Sequence, residues 1–91
     1  MLIKNAKIIF YDRIEEGSVL VEEGKITKIN PQSYEGHQVI DAEGQYLSPG
    51  FIDVHIHGAG GKDTMEGNYE ALNTIAKTIV QHGTTSFLPT T

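Results

Sequence analysis

Cysteine is absent from this chain. Disulfides and thiolate metal centres are therefore excluded, and a metal ion would have only histidine, carboxylate and water to bind. Long apolar runs are also missing: nothing approaches the ~18 consecutive apolar residues of a membrane span. Residues 1–10 carry Lys4 and Lys7 but no continuous apolar core and no small-residue cleavage site. No targeting segment is visible, and a cytoplasmic location is the default expectation. No Asn-x-Ser/Thr acceptor, internal repeat or low-complexity segment occurs. Basic residues are outnumbered, with 7 Lys and Arg against 12 Asp and Glu and a net charge of −5. That leaves no electrostatic footprint for nucleic acid or for an anionic membrane surface.

What is present fits a soluble globular fold, at 38% hydrophobic and 21% charged residues of mixed sign. A chain of 91 residues is one small domain or part of a larger one, and buries about 60–65% of its unfolded surface. The first third reads as β-structure. Leu2, Ile3, Ile8, Ile9 and Phe10 form an apolar cluster, and Ser18–Val21 and Lys25–Ile29 are two strands around Glu22-Glu23-Gly24. Ile26 and Ile29 can both be buried only if the second strand is irregular. Asn30-Pro31 ends it, because proline removes a ladder donor. Gln38–Asp41 and Tyr46–Ser48 read as two further strands of hairpin character, with a turn at Ala42-Glu43-Gly44.

Composition changes at Ser48-Pro49-Gly50. Beyond it the order is strand, glycine-rich loop, helix, strand. Asn68 is the expected helix N-cap, with Glu70 near the positive end. Leu72, Ile75, Ala76, Ile79 and Val80 form one apolar stripe at helical period, with Asn73, Thr74, Lys77, Thr78 and Gln81 on the other side. His82 is expected in the last turn and Gly83 as a left-handed cap. Thr84–Leu88 is the next strand. Phe51–Leu88 reads as one β-α-β unit; one helix and two parallel strands make no closed core, so the 91 residues are expected to be the front of a longer protein.

The chemistry concentrates in Pro49–Gly61. Phe51–His57 is a short strand bounded by Gly50 and Gly58. Alternation sends Asp53, His55 and His57 to one side and Ile52, Val54 and Ile56 to the other, an apolar face suited to covering helices. Two imidazoles at i and i+2 on one strand can lean onto one metal ion; the bland alternative is two polar residues hydrogen-bonded at a strand end. Asp53, expected beneath the histidines, either orients a metal ligand by accepting its hydrogen bond or is a structural carboxylate satisfied by backbone donors. Gly58-Ala59-Gly60-Gly61-Lys62 is not a nucleotide loop. The dinucleotide fingerprint needs glycine at Asp63, and the P-loop needs glycine at Ile56 and Ser or Thr at Asp63. It is either flexible backbone at the mouth of a site or a plain surface loop. His37 is expected at the surface, Glu15, Glu16, Glu22 and Glu23 on solvated turns, and Ser86 lacks nucleophile-elbow glycines.

Pro49-Gly50-Phe51-Ile52-Asp53-Val54-His55-Ile56-His57 resembles the first-strand signature of the metal-dependent amidohydrolase superfamily. Within it, Gly58–Met65 and His82–Thr91 resemble the N-acetylglucosamine-6-phosphate deacetylase family, and the resemblance extends over the whole chain. It implies a (β/α)8 (TIM) barrel hydrolase preceded by the N-terminal strands of a small β-sandwich. Residues 1–48 would be the N-terminal share of the sandwich, and residues 49–91 the first β-α-β unit of the barrel. It also implies hydrolysis of the acetamide of N-acetylglucosamine 6-phosphate by metal-activated water, one or two divalent ions (Zn or Fe), His55 and His57 as metal ligands, and a homo-oligomeric parent. The catalytic carboxylate and remaining ligands of that family come from later strands. No catalytic residue is expected in this chain, which alone is expected to be inactive. The first-strand signature is shared with dihydroorotases and hydantoinases, so a cyclic-amide hydrolase stays open, as does a barrel scaffold without catalysis.

Overall fold

The computed structural model describes residues 1–91, which fold as two units, Met1–Ser48 and Pro49–Thr91. In the first, apolar residues spaced along long strands build one sheet. Strands β1 (Leu2–Ile9), β2 (Ile14–Glu22) and β3 (Lys25–Ile29) run as an antiparallel meander. The second strand is longer than the Ser18–Val21 expected, because Arg13 bonds to Phe10 across the turn and pairing begins at Ile9 and Ile14. Glu15 and Glu16 thus lie on a strand, exposed, rather than in a turn.

The sheet order is β3-β2-β1-β4, with β5 also beside β1. Strands β4 (Val39–Asp41) and β5 (Tyr46–Leu47) both pair with β1 in parallel. This corrects the hairpin expectation: the Ala42–Gly44 turn carries the chain along β1 instead of folding it back. Its backbone bonds to Lys4 and Asn5 carbonyls, at 2.8 and 2.7 Å. Asn5 adopts φ 54°, and the register slips by one residue between Ile3 and Ala6. Leu2 pairs with Leu20, while Ala6, Ile8 and Val19 form a separate buried cluster. On β3 the register slips between Leu20 and Val21, yet Ile26 and Ile29 both stay exposed. His37 is half-buried rather than exposed.

Asp41 closes the β4 turn. Its Oδ1 accepts the Glu43 N–H at 2.8 Å and the Asn5 side-chain amide at 3.1 Å. The Glu43 bond first, and the Asn5 bond second, hold its carboxyl below the ordinary pKa. A carboxylate whose folded pKa is depressed contributes stability above its unfolded pKa and loses it as pH falls through the folded value. Asp41→Ala is therefore expected to lower the thermal midpoint at neutral pH, with the difference from wild type shrinking in acid. Midpoints measured at both pH values check this, and a difference that grows in acid would contradict it.

In the second unit, β6 (Phe51–Ile56) and β9 (Thr84–Pro89) are parallel neighbours linked through α1 (Tyr69–Val80). Asn68 caps the helix as expected, its Oδ1 accepting the Ala71 N–H at 2.8 Å. Ala71 and Ile75 are fully buried, whereas Val80 at the end of the stripe is exposed. Thr74 and Thr78 are half-buried, not solvent-facing. They lie against the segment after His57, where a Cβ on Gly60 would stand 2.3 Å from Thr78 Oγ1. The helix ends before His82, which is exposed in the following turn. Ile52 and Val54 on β6 are also exposed. No helix is long and apolar enough to cross a membrane.

Candidate metal centre

Strand β6 does not run regularly along β9. Asp53 pairs with Phe87 and Ile56 with Pro89, so three steps on β6 oppose two on β9. The extra residue is the signature of a bulge, a device that re-aims side chains near functional sites. Proline suits the position, since it lacks the N–H that an uninterrupted ladder would require. Val54 and His55 occupy the bulged stretch.

His55 and His57 are brought together at the end of this strand. Their Nε2 atoms are 3.2 Å apart, and the rings meet edge to face with centroids separated by 5.0 Å. Both side chains are solvent-exposed. Two nitrogens bound to one ion at ~2.0–2.1 Å in tetrahedral geometry stand about 3.3–3.4 Å apart. The 3.2 Å separation thus matches a hydrogen bond between the two rings and also the bite of a two-nitrogen chelate. No third His, Asp or Glu clusters with the pair.

Asp53 is half-buried, not buried beneath the histidines. Its Oδ1 accepts the backbone N–H of His55 at 3.1 Å. His37 lies in the first unit, and His82, which follows α1, does not join the pair.

The glycine-rich stretch after His57 is a hairpin. Strands β7 (Gly58–Ala59) and β8 (Lys62–Asp63) pair antiparallel across Gly60-Gly61. Those glycines have φ 64° and 80°, the two positive values of a type I′ turn. The Gly-Gly dipeptide between short strands was the signal available for it in the sequence. A 3-10 turn follows at Thr64–Glu66, closed by a capping box. Asp63 Oδ1 accepts the Met65 N–H at 2.8 Å, and Glu66 Oε2 accepts the Asp63 N–H at 2.8 Å. The Thr64 N–H donates to the His57 carbonyl at 2.8 Å. The hairpin thus returns to the residue it left and fixes the backbone from which the second imidazole projects.

The sequence profile of the Amidohydrolase family matches residues 38–86. An N-acetylglucosamine-6-phosphate deacetylase from Lysinibacillus sphaericus is 37% identical over 93 aligned residues, covering 100% of this chain and 24% of that protein. An adenine deaminase from Halalkalibacterium halodurans is 36% identical over 91 residues, covering 97% of this chain and 14% of the deaminase. The crystal structure of N-acetylglucosamine-6-phosphate deacetylase from Pasteurella multocida superposes with a TM-score of 0.87 at 33% identity, over 97% of this chain and 24% of that one. The chain thus spans a quarter or less of the length of these proteins.

Proposed function

The chain belongs to the amidohydrolase family, and from that premise we propose that it forms the amino-terminal part of a metal-dependent N-acetylglucosamine-6-phosphate deacetylase. In this reading residues 1–48 are the N-terminal strands of a small β-sandwich, and residues 49–91 are the first β-α-β unit of a (β/α)8 barrel. The observation that carries it is the close approach of His55 and His57, with Nε2 atoms 3.2 Å apart, at the C-terminal end of β6. That is the end of a barrel strand where active sites are built. The substrate assignment is supported by the similarity to deacetylases over the full length of the chain.

The donor set fits a zinc or iron ion, since neutral imidazole suits both and thiolate is absent. His55 and His57 would hold it jointly with ligands from outside these residues. When bound, such an ion acidifies a water molecule and polarises an amide carbonyl. The overall reaction adds water across the acetamide C–N bond, giving acetate and glucosamine 6-phosphate. The proton delivered to the leaving amine needs an acid–base group close to the metal, and no carboxylate of this chain clusters with the two histidines. The role of residues 49–66 is therefore to hold and orient. The bulge aims the His55 ring, and the hairpin anchors His57 through its carbonyl.

The test is an assay of the purified full-length protein with N-acetylglucosamine 6-phosphate, adenine and a cyclic amide, each before and after chelation. Acetate release from the sugar phosphate, lost with chelator and restored by Zn²⁺ or Fe²⁺, is expected. Ammonia from adenine without acetate from the sugar phosphate would move the protein to the deaminase branch, the reading that the 36% identity to an adenine deaminase favours next. Hydrolysis of the cyclic amide alone would move it to the dihydroorotase and hydantoinase branch. No turnover of any substrate by metal-replete protein would leave a barrel scaffold.

A further inference from the structure

We propose that Asp53 is a positioning residue that sets the spacing of the two imidazoles by clamping the β6 bulge; the inference rests on the metal reading above. A bulge loosens the hold of a strand on its neighbour, so side-chain bonds to the bulged backbone gain weight in fixing where its side chains point. Here the ends of the irregular stretch are tied to β9. Asp53 pairs with Phe87, Ile56 pairs with Pro89, and the Ile56 carbonyl accepts the Thr90 N–H at 2.8 Å. His55 lies between those anchors. Its N–H is taken by Asp53 Oδ1 at 3.1 Å, two residues back along the same strand.

This i to i+2 contact is a local side-chain-to-backbone bond of the kind that short polar residues make. It holds the peptide from which the His55 side chain departs. An imidazole is a lever on its Cα, so a small rotation of that peptide moves Nε2 by more than it moves the backbone. His57 is held independently, through its carbonyl and the Thr64 N–H at 2.8 Å. The 3.2 Å gap between the ring nitrogens is thus set by two separate backbone anchors. Asp53 is the one that comes from a side chain. What the clamp requires is an acceptor oxygen two residues before His55, not a negative charge.

That distinction makes the test. Asp53→Asn keeps a carbonyl oxygen able to accept the His55 N–H, and Asp53→Ala removes it. Metal-stripped full-length protein is titrated with Co²⁺, following the visible d–d bands, and hydrogen exchange of the His55 amide is measured without metal. Asp53→Ala is expected to weaken Co²⁺ binding by about 10- to 100-fold, the usual cost of losing a group that supports a ligand, and to speed His55 exchange while the Ile75 amide stays protected. Asp53→Asn is expected to stay close to wild type in both. Wild-type Co²⁺ affinity in Asp53→Ala, or an Asp53→Asn variant as impaired as Asp53→Ala, overturns the proposal. If His55→Ala and His57→Ala bind Co²⁺ as tightly as wild type, the metal reading falls instead. The exchange measurement still decides the clamp in that case: unchanged His55 exchange in Asp53→Ala overturns it.

Discussion

Replacing either His55 or His57 by alanine is expected to empty the metal site and lower turnover of the full-length enzyme by about 10³-fold. The reasoning starts from the pair. In the proposed centre two imidazoles with Nε2 atoms 3.2 Å apart would act as a chelate, and removing one leaves a single exposed donor at the end of β6. A metal that acts as Lewis acid and water activator supplies several kcal/mol of transition-state stabilisation. Taking about 4 kcal/mol for that contribution, at 1.36 kcal/mol per tenfold, gives the expected loss. Folding should survive, because both side chains are exposed and neither belongs to the core around Ala71 and Ile75. Metal content by elemental analysis, turnover, and circular dichroism of each variant check the three parts separately. Wild-type metal content together with turnover within a factor of two would remove both histidines from the site.

The second large effect is expected at Gly58. A Cβ there would stand 2.2 Å from the Lys62 carbonyl oxygen and 3.1 Å from the Asp63 Cα. These are backbone atoms, so no side chain can swing aside, and the β7–β8 pairing itself has to open. Forcing a methyl into such a contact costs about 1–3 kcal/mol. The consequence reaches His57, because the same hairpin brings the Thr64 N–H to its carbonyl. Gly58→Ala should therefore lose stability and also weaken metal binding. Gly61→Asn is the matched control. Gly61 has φ 80° but nothing within 4 Å of its would-be Cβ, and asparagine is one of the few residues that tolerate the left-handed region. Denaturant unfolding and a Co²⁺ titration on both variants check the ordering. A Gly58→Ala protein as stable as Gly61→Asn would show that the hairpin does not constrain the site.

Much of the local architecture was legible because it is written in short-range periodicity. The 3.6-residue spacing from Leu72 to Val80 and the capping asparagine locate α1 within a residue of its observed start. The β-branched run after Gly83 locates β9, and His-x-His flags the one pair of side chains that converge. Other features were misread where the deciding partner is distant in sequence. Thr74 and Thr78 look like a solvent face by composition. They are half-buried because the glycine turn, with no side chains of its own, comes down on them. Strands β4 and β5 look like hairpin arms, yet both pair in parallel with β1, more than thirty residues earlier.

His55 and His57 show where the division falls. The sequence alone determined where two imidazole donors stand two residues apart, because donor identity and i, i+2 spacing are local properties. Tertiary structure decided how far apart the ring nitrogens stand. Around the pair it combines the slip of β6 against β9, the carboxylate of Asp53 accepting the His55 N–H, and a hairpin returning to the His57 carbonyl. Strand register is a competition among alternative pairings between distant segments. Its outcome is set by the summed hydrogen bonding and packing of the whole unit, which no window of neighbouring residues contains.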